Sequence, residues 1–337
     1  MSMRAAVLYG KEDVRIERVP VPNVEPGGLL IRVHAALTCG TDVKVFRRGY
    51  HAKMIRPPAV FGHEFAGIVE VGNERFKKGQ RVVAANSAPC GTCFFCAKNS
   101  PNLCSDLLFN NGAYAEFIHV PARIAAKNTY EIPEHASFND AALIEPLACA
   151  LKGVDDSGIR SGDSVAVIGL GPLGMFLVKA AKLSGARVIA VGRREEQVQR
   201  AIEMGADNGV FESPLENVRA LTQSHGADAV IEAVGTPETW QLAVEMVRAG
   251  GTVNFFGGPP SGTRVELDTN RLHYSEITCK ASFHHTPEHI RRALDLVGAG
   301  KVTAKEFVNR ESPLESLPDI LRELAAKNGH LKTAIIP

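Results

Sequence analysis

The feature that most constrains the fold is a glycine-rich turn between an apolar run and a helical stretch. Ser164 to Ile168 is apolar, Gly169 to Gly174 has the pattern G-x-G-x-x-G, and a helical stretch from Pro172 to Leu183 precedes a second apolar run, Arg187 to Val191. This order predicts strand, helix, strand. The same alternation continues along the chain. Repeated βα units predict an α/β fold with a doubly wound, Rossmann-type parallel sheet in residues 151–286.

The turn also has the composition of a dinucleotide-binding site. Because glycine lacks a Cβ, the backbone can approach a pyrophosphate at the start of a helix, where N–H groups and the helix dipole attract anions. The predicted cofactor-binding residues of the turn are Gly169, Gly171, Pro172, Leu173 and Gly174. The alternative is a tight strand-to-helix turn that binds no ligand.

The second strand of this unit ends without the carboxylate that binds a ribose hydroxyl of NAD. In its place stand Gly192, Arg193 and Arg194, which offer space and positive charge suited to the 2′-phosphate of NADP. The sequence therefore predicts a preference for NADP over NAD. The alternative is that both arginines begin the next helix in solvent and pair with Glu195 and Glu196.

The first 150 residues have a different pattern. Short β-rich runs, among them Arg4 to Leu8, Leu29 to Ala36 and Gly67 to Val71, are separated by glycine and proline turns. These runs predict a mostly antiparallel, β-rich domain. At 337 residues the chain exceeds the usual length of one domain. A helical segment after Pro287 and a final β run from Lys332 to Ile336 complete the pattern.

Four of the seven cysteines crowd into one lobe near residues 88–106. Their spacing, C-x2-C-x2-C-x7-C, lets Cys90, Cys93, Cys96 and Cys104 converge on one ion. Because all four positions around a tetrahedral zinc would then be protein ligands, the sequence predicts a structural zinc that clamps a lobe with little apolar core. An iron–sulfur cluster and a set of unrelated reduced cysteines are the alternatives.

Two short motifs supply ligands for a second metal ion. Cys39 lies in Thr38-Cys39-Gly40-Thr41-Asp42, interpreted as a loop after a β run, and His63 and Glu64 stand before another β run. Thiolate, imidazole and carboxylate are all zinc ligands, and three protein ligands leave a position open for substrate. Such residues in isolation are more often structural, so this prediction depends on the other motifs.

Together these motifs carry a resemblance that covers nearly the whole chain. Cys39-Gly40-Thr41-Asp42, Gly62-His63-Glu64 with Gly67, the four-cysteine lobe and the glycine turn occur in the order and approximate spacing of one family. The sequence resembles the zinc-containing medium-chain alcohol and polyol dehydrogenases, in particular the sorbitol and threonine dehydrogenase branch. The resemblance implies a GroES-like, β-rich catalytic domain made of residues 1–150 and 287–337, and a homodimer or homotetramer.

The same resemblance implies roles for individual residues. Cys39 and His63 would bind a catalytic zinc with Glu64 as a ligand or beside it, Glu145 would belong to the same site, and Asp42 would orient the imidazole of His63. Glutamate at position 145 is typical of the polyol and threonine branches, whereas simple alcohol dehydrogenases often have cysteine there. With the structural site, two zinc ions per chain are expected.

The reaction implied by the resemblance is hydride transfer between a secondary alcohol and NADP(H) or NAD(H). Zinc would lower the pKa of the alcohol, and the hydroxyl of Thr41 would pass the departing proton outward. The route beyond Thr41 stays open between Lys44, His51 and water. The expected small-molecule partner is a polyol, a sugar-derived alcohol or an amino alcohol, or the matching ketone, with simple-alcohol and threonine 3-dehydrogenases as rivals.

Charge and composition argue against other classes of protein. Basic and acidic side chains nearly balance, 38 against 37, and no Lys/Arg-rich run stands out, so neither nucleic acid nor a membrane is an expected partner. A cytoplasmic location is expected by default, because Met1 to Gly10 lack a signal-peptide pattern and no stretch has the length to span a bilayer. The crowded cysteines favour a reducing compartment. A non-catalytic nucleotide-binding regulator or structural protein would be expected to lose Cys39, His63 or Glu64, and all three are present.

Overall fold

The computed structural model describes residues 1–50, 54–326 and 331–337. By its contacts the chain divides into two units. The first comprises Met1–Glu145 and Thr286–Pro337, and the second comprises Pro146–His285. Within the described ranges no helix combines the length and the apolar character that crossing a membrane requires.

The elements alternate along the chain, and strands predominate in the first unit. The strands are β1 (Ser2–Gly10), β2 (Asp13–Pro20), β3 (Leu29–Leu37), β4 (Ala59–Val60), β5 (Glu64–Val71), β6 (Arg81–Ala84), β7 (Ser87–Ala88), β8 (Leu108–Phe109), β9 (Phe117–Val120), β10 (Thr129–Glu131), β11 (Ser164–Ile168), β12 (Arg187–Val191), β13 (Asn208–Val210), β14 (Ala227–Glu232), β15 (Val247–Phe255), β16 (Thr278–Ala281), β17 (Val308–Pro313) and β18 (Lys332–Ile336). The helices are α1 (Gly40–Arg48), α2 (Phe94–Ala97), α3 (Ala122–Lys127), α4 (Phe138–Ala142), α5 (Ile144–Asp156), α6 (Pro172–Leu183), α7 (Glu195–Glu203), α8 (Pro214–Leu221), α9 (Pro237–Met246), α10 (Thr269–Tyr274), α11 (Pro287–Gly298), α12 (Ala304–Phe307) and α13 (Leu317–Ala325), with short 3-10 helices at Pro101–Leu103 and Leu314–Ser316.

The second unit is built on a parallel sheet with the strand order β13-β12-β11-β14-β15-β16. All five residues of β11 are buried, because helices that connect parallel strands cover both faces of such a sheet. The strand order reverses between β11 and β14, and open α/β sheets bind ligands at the carboxyl ends of strands at that point. The predicted Rossmann-type sheet is confirmed.

The first unit is mostly antiparallel, as the sequence predicted. A three-stranded sheet has the order β2-β1-β4, and a seven-stranded sheet has the order β10-β6-β5-β3-β18-β17, with β9 paired to β3. The exception is β17, which runs parallel to β18. The two strands can run parallel because α13, which lies between them in sequence, carries the chain back to the end of the sheet where β17 begins.

A large apolar core lies in the first unit, beside a small cluster of Met3, Ala5 and Ala115. Phe46 from α1, Phe61, Tyr114 and Leu321 from α13 are all buried in this core. Removing a buried aromatic side chain of this size costs about 3–5 kcal/mol of stability in typical proteins. The core therefore fixes α1 and the segments before β5 and β9, which carry the residues of the candidate site.

Candidate active site

The pairing of β3 with its two neighbours gathers the predicted metal ligands. Leu37, the last residue of β3, lies opposite Glu64, the first residue of β5, in an antiparallel register. Cys39 follows Leu37 by two positions and His63 directly precedes Glu64, so the register brings both to one end of the sheet. On the other side of β3, Ala334 of β18 also pairs with Leu37. The C-terminal strand therefore reaches the same place.

The segment after β3 begins a helix, so its interpretation as a loop was wrong. Cys39 is the N-cap of α1, and its Sγ accepts the Thr41 N–H at 3.5 Å. The Asp42 carboxylate accepts the Cys39 N–H at 2.9 Å, which completes a capping box. Sulfur is an unusual cap acceptor, and this capping was not predictable from the usual Ser, Thr, Asp and Asn preference. The cap fixes the backbone around the Cys39 thiol.

The donor atoms of Cys39, His63 and Glu64 lie within 4.8 Å of one another. Zinc bonds of about 2.0–2.3 Å to nitrogen, oxygen and sulfur place tetrahedral ligands about 3.3–3.8 Å apart, so a small closing movement brings these donors around one ion. His63 and Glu64 are buried. Burial raises the pKa of the Cys39 thiol, and the nearby Glu64 carboxylate raises it further. A cation at this place would reverse both effects, and the donor set fits zinc.

Asp42 orients the imidazole of His63. The His63 Nδ1 lies 3.1 Å from Asp42 Oδ1. Because an ionised carboxylate only accepts hydrogen bonds, Nδ1 carries the proton and Nε2 is left to bind a metal. Burial lowers the pKa of His63, but the charge and hydrogen bond of Asp42, together with Cys39, outweigh burial and raise that pKa well above its ordinary value. The predicted position of Asp42 beside His63 is what the structure shows.

Tyr114 holds Asp42 in turn, and the sequence analysis missed it. Its buried hydroxyl donates to Asp42 Oδ2 at 2.6 Å and also lies 3.0 Å from the Leu37 carbonyl oxygen. Gly62 makes room for the ring, because a Cβ at this position, whose φ is +95°, would lie 2.6 Å from Tyr114 Cδ2. A tyrosine between two alanines in a buried β-rich run gave the only sequence signal.

Lys332 is the second residue that the sequence analysis missed. Its Nζ lies 2.6 and 2.8 Å from the two carboxylate oxygens of Glu64 and 3.0 Å from the Thr38 carbonyl oxygen. Burial lowers the pKa of Lys332, but the charge and hydrogen bond of Glu64, together with Cys39 and Glu145, outweigh burial and raise it. The ammonium group therefore neutralises Glu64 and holds it beside the other donors. The available signal was a lysine at the start of a buried strand whose last three residues are apolar.

Glu145, in the first turn of α5, is buried with 7% of its surface exposed. Burial raises its pKa to about 7, the neighbouring Glu64 carboxylate adds to this effect, and His63, Lys332 and Asn86 oppose it. Glu145 therefore interacts electrostatically with His63, Glu64 and Lys332 of the candidate metal site. Its carboxylate is not among the three donors that lie within 4.8 Å of one another.

Thr41 lines a small cavity of about 10 Å³ next to His63. The other lining residues are Asp42, Val45, Met54, Ile55, Phe61 and Asn111. The Asn111 side chain donates to the Met54 carbonyl oxygen at 3.0 Å and so fixes that wall. Lys44 is exposed, and His51 lies outside the described residues. Thr41 and His63 therefore line the same cavity.

The four cysteines of the lobe converge as their spacing predicted. The sulfur atoms of Cys90, Cys93, Cys96 and Cys104 lie 3.5–4.0 Å apart in four of their pairs. A tetrahedral ion with Zn–S bonds of about 2.3 Å requires about 3.8 Å between sulfurs. A cluster of several irons and sulfides needs the thiolates further apart, so this arrangement fits a single ion.

Backbone N–H groups favour the thiolate form of two of these cysteines. Hydrogen bonds from Thr92 lower the pKa of Cys90 to about 7. The N–H of Cys96, followed by donors of Ser105, lowers the pKa of Cys93 to about 5. Burial instead raises the pKa of Cys96 to about 11. Thiolates are the metal-binding form, so Cys90 and Cys93 favour metal binding before an ion arrives. Cys96 would lose its proton when the ion binds.

In the second unit, the glycine turn opens α6 at the carboxyl end of β11. Gly171 is the N-cap of α6, Pro172 and Leu173 follow in its first turn, and no side chain caps the helix. A Cβ at Gly171 would meet no atom within 4 Å, whereas one at Gly174 would lie 1.8 Å from the Gly169 carbonyl oxygen. The turn therefore offers an open helix N-terminus, held close to the strand, and it fits a pyrophosphate.

Gly192, Arg193 and Arg194 follow β12 at the same edge of this sheet. Gly192 is buried, and a Cβ there would lie 2.8 Å from Leu170, so its lack of a side chain serves packing. Both arginines are exposed. Arg194 forms a surface ion pair with Glu196 at 3.4 Å, which is one of the pairings that the sequence left open. Arg193 has no ion-pair partner within the part of the chain that the structure describes.

Comparison with known proteins agrees with both units. The model of the alcohol dehydrogenase GroES-like domain matches residues 25–134, and that of the zinc-binding dehydrogenases matches residues 172–299. A sorbitol dehydrogenase of Bacillus subtilis is 30% identical over 100% of this chain and 98% of its own. An L-threonine 3-dehydrogenase of Bacillus licheniformis is 33% identical over 97% of this chain and 96% of its own.

Solved structures show the same likeness. A structure from Sinorhizobium meliloti 1021, described as a zinc-binding dehydrogenase bound to NADP, has a TM-score of 0.91 and 33% identity and covers 100% of both chains. An alcohol dehydrogenase from Thermus sp. ATN1 has a TM-score of 0.90 and 31% identity and covers 99% of both chains. The chain therefore belongs to the zinc-binding alcohol dehydrogenases with a GroES-like and a Rossmann-type domain. The predicted family, fold and reaction class, zinc-dependent oxidoreduction of alcohols, are confirmed.

Proposed function

We propose that this protein oxidises a secondary hydroxyl of a polyol, a sugar-derived alcohol or an amino alcohol to the ketone, with NADP as hydride acceptor, and catalyses the reverse reaction. The observation that carries the proposal is the gathering of the Cys39, His63 and Glu64 donors within 4.8 Å, with Thr41 lining a cavity next to His63. The names of the relatives, sorbitol dehydrogenase and L-threonine 3-dehydrogenase, support a substrate of this class.

Cys39 and His63 would hold the catalytic zinc, with Glu64 and Glu145 as the carboxylates of the site. When bound, zinc supplies a Lewis acid that lowers the pKa of an alcohol and favours hydride loss from its carbon. Asp42 keeps the proton of His63 on Nδ1 and thereby keeps Nε2 available to the metal. Lys332 neutralises Glu64, so the buried site does not accumulate negative charge.

The protein's own groups would handle the proton. Thr41, two residues after a metal ligand, presents a hydroxyl that both donates and accepts, so it is suited to pass the alcohol proton outward. The Thr41 hydroxyl would accept the proton of the alcohol while giving up its own to the next acceptor outward, and the hydride would go to the nicotinamide of the bound cofactor. Lys44, His51 and water are the candidates for the exit beyond Thr41.

The second zinc ion would be held by Cys90, Cys93, Cys96 and Cys104. Four thiolates fill its coordination, so it takes no part in chemistry and stabilises the lobe. The sulfur separations of 3.5–4.0 Å support this role. We therefore propose two zinc ions per chain, both in a catalytic domain of residues 1–150 and 287–337, and a nucleotide domain of residues 151–286.

NADP selectivity would come from the guanidinium groups of Arg193 and Arg194. A 2′-phosphate needs charge-assisted hydrogen bonds, and both side chains are exposed at the end of β12, where the ribose of a dinucleotide lies in this fold. The NADP-bound Sinorhizobium meliloti structure supports this choice. The ion pair of Arg194 with Glu196 reduces the contribution of Arg194, so Arg193 carries more of the selectivity.

The homodimer or homotetramer and the cytoplasmic location are proposed on the family resemblance and on the density of free cysteines. Sedimentation of the purified protein tests the first of these. An oligomer is expected, and a monomer at micromolar concentration would contradict it.

The deciding assay is a panel of sorbitol, xylitol, L-threonine and a simple secondary alcohol, each with NADP and with NAD, followed by nicotinamide absorbance. We expect turnover with a polyol or amino alcohol and a higher kcat/KM with NADP. Arg193→Ala should lower kcat/KM for NADP about tenfold and leave that for NAD within about twofold. Arg219→Ala, on α8, is the matched control. A higher kcat/KM with NAD in the unmodified enzyme would contradict the NADP assignment.

A further inference from the structure

A fully buried carboxylate stands at the carboxyl end of a central strand in the second unit. Glu232 is the last residue of β14 and has 0% of its surface exposed. In the sheet register it lies opposite Ile168 of β11 on one side and Phe255 of β15 on the other. It therefore sits at the point where the strand order reverses, directly beneath the turns that line a nucleotide crevice.

One oxygen of this carboxylate gathers three donors. Glu232 Oε1 accepts the N–H groups of Val234 at 2.7 Å and Gly235 at 2.8 Å and the hydroxyl of Thr239 at 2.8 Å. These donors come from the turn after β14 and from the first turn of α9. Convergent hydrogen bonds to a carboxylate are stronger than those to a neutral acceptor. The side chain thus fixes the path of the backbone from strand to helix.

Glu232 also contacts the turn that follows the next strand. Its backbone carbonyl oxygen accepts the N–H groups of Phe256 at 2.9 Å and Gly257 at 2.7 Å. The other carboxylate oxygen, Oε2, faces Gly257 so closely that a Cβ there would lie 2.8 Å away. The turns after β14 and β15 are therefore both held on this one residue.

The turn after β14 packs directly against the glycine turn. The Ala233 N–H donates to the Ile168 carbonyl oxygen at 2.8 Å, and a Cβ at Gly169 would lie 2.5 Å from Val234 Cγ2. A change in the path of residues 233–236 would therefore alter the packing against Gly169, which begins the glycine turn.

The two halves of this sheet have different tasks in dinucleotide binding. The half made by β11 to β13 contains the glycine turn and the arginines after β12, and so binds the adenosine side. The half made by β14 to β16 is left for the second mononucleotide, which carries the nicotinamide. Glu232 belongs to this second half.

We propose that Glu232 is a positioning residue for the nicotinamide half of the cofactor, because it fixes the two turns, residues 233–236 and 256–258, that form the floor of that half. The inference rests on the dinucleotide binding proposed above. Glu232 acts through the backbone of these turns and does not need to touch the cofactor.

The chain contains its own reporter of this region. Trp240 is the single tryptophan of the sequence. Its ring stacks on Phe255 with a centroid distance of 4.0 Å, and its indole N–H donates to the Gly257 carbonyl oxygen at 3.2 Å. Tryptophan fluorescence therefore arises next to the turn that Glu232 holds, and quenching by reduced nicotinamide measures binding without catalysis.

The test compares two ligands with the zinc-loaded full-length protein. The first is NADPH, followed by quenching of Trp240, and the second is 2′-phospho-ADP, which lacks the nicotinamide half and is followed by calorimetry. Glu232→Gln keeps the size of the side chain and one oxygen for the three donors. It removes the negative charge that strengthens those hydrogen bonds, and it places an amide donor at the position of Oε2, which has no hydrogen-bond partner among the described residues. The substitution should lower the affinity for NADPH about tenfold and change the affinity for 2′-phospho-ADP less than about twofold.

Two further variants make the result interpretable. Thr239→Val removes one of the three donors and leaves the carboxylate in place. It should lower the affinity for NADPH severalfold and, like Glu232→Gln, leave the affinity for 2′-phospho-ADP nearly unchanged. This variant also provides the test if Glu232→Gln does not fold. Glu203→Gln changes an exposed glutamate at the far end of α7 and should leave both affinities unchanged.

Equal weakening of both ligands in Glu232→Gln and Thr239→Val, together with a fall in Tm, would show a general structural role and overturn the proposal. Unchanged NADPH affinity in both variants would overturn it as well. Failure of the unmodified protein to bind either ligand would instead contradict the proposed dinucleotide function, so the two outcomes are distinguishable.

Discussion

Replacing Tyr114 by phenylalanine removes one buried hydroxyl from the candidate metal site and leaves the ring in its place. That hydroxyl donates to Asp42 Oδ2 at 2.6 Å, and Asp42 Oδ1 in turn orients His63. Burial, together with the Asp42 carboxylate, raises the pKa of Tyr114 well above its ordinary value, so the hydroxyl stays protonated and donating at neutral and mildly alkaline pH. The substitution therefore tests how the site holds its histidine.

The magnitude follows from the kind of hydrogen bond that is lost. A bond to a charged group contributes about 1.5–3 kcal/mol, and Asp42 keeps the Cys39 N–H as a second donor at 2.9 Å, so the site is loosened and not lost. Groups that hold a metal-binding histidine typically change metal affinity by about 10–100-fold, which corresponds to about 1.4–2.8 kcal/mol. The two estimates agree.

The assay is competition for zinc with a chelator, combined with kcat and with thermal unfolding. Tyr114→Phe should weaken zinc binding at the Cys39, His63 and Glu64 site by about 10–100-fold and lower kcat, while the zinc of the four-cysteine lobe stays bound. Tyr130→Phe is the matched control, because its half-buried hydroxyl bonds the Lys127 carbonyl oxygen at 3.2 Å in the same unit. Zinc affinity and kcat within about twofold of the unmodified enzyme would refute the reasoning.

Three other perturbations address the rest of the molecule. Gly174→Ala would place a Cβ 1.8 Å from the Gly169 carbonyl oxygen, so α6 must move from β11 and NADPH affinity, followed by fluorescence, should fall at least about tenfold. Cys96→Ser removes one of four sulfurs and should release one zinc per chain, counted by atomic absorption, and lower the Tm. Burial of Asp228 is outweighed by hydrogen bonds that include one from Arg248, so its pKa is lowered. Its contribution to stability is full above the ordinary carboxyl pKa and is lost as the pH falls through the lowered value. In urea unfolding, Asp228→Asn should therefore be less stable than the unmodified protein at neutral pH, and the difference should shrink in acid; a gap independent of pH would contradict this.

The second unit was predictable from the sequence because its strands, turns and helices are determined by residues close together along the chain. An apolar run, a glycine turn and a helix at 164–183 determine one another within a few residues, and the structure has β11 and α6 there. The lobe was predictable for the same reason, since four cysteines within a short loop have few arrangements that bring their sulfurs to 3.5–4.0 Å. In both cases the spacing along the chain determines the geometry in space.

The candidate metal site was predictable only as a set of residue types. Its geometry depends on the register of β3 with β5 and β18, and such long-range pairing leaves no periodic signal in one sequence. Lys332 pairs with Glu64 across 268 positions, and Tyr114 supports Asp42 across 72. The helix that begins after Cys39 was missed because sulfur is not a usual capping acceptor.

The most direct test of the account is zinc content and alcohol oxidation measured side by side in the unmodified protein and in Cys39→Ser. We predict about two zinc ions per chain and NADP-linked oxidation of a polyol or amino alcohol in the unmodified protein. In Cys39→Ser we predict about one zinc ion, retained by the four-cysteine lobe, and loss of oxidation with NADPH binding unchanged. Full turnover by Cys39→Ser, or unmodified protein that binds zinc only in the lobe and still oxidises alcohols, would contradict the assignment of the reaction to this site.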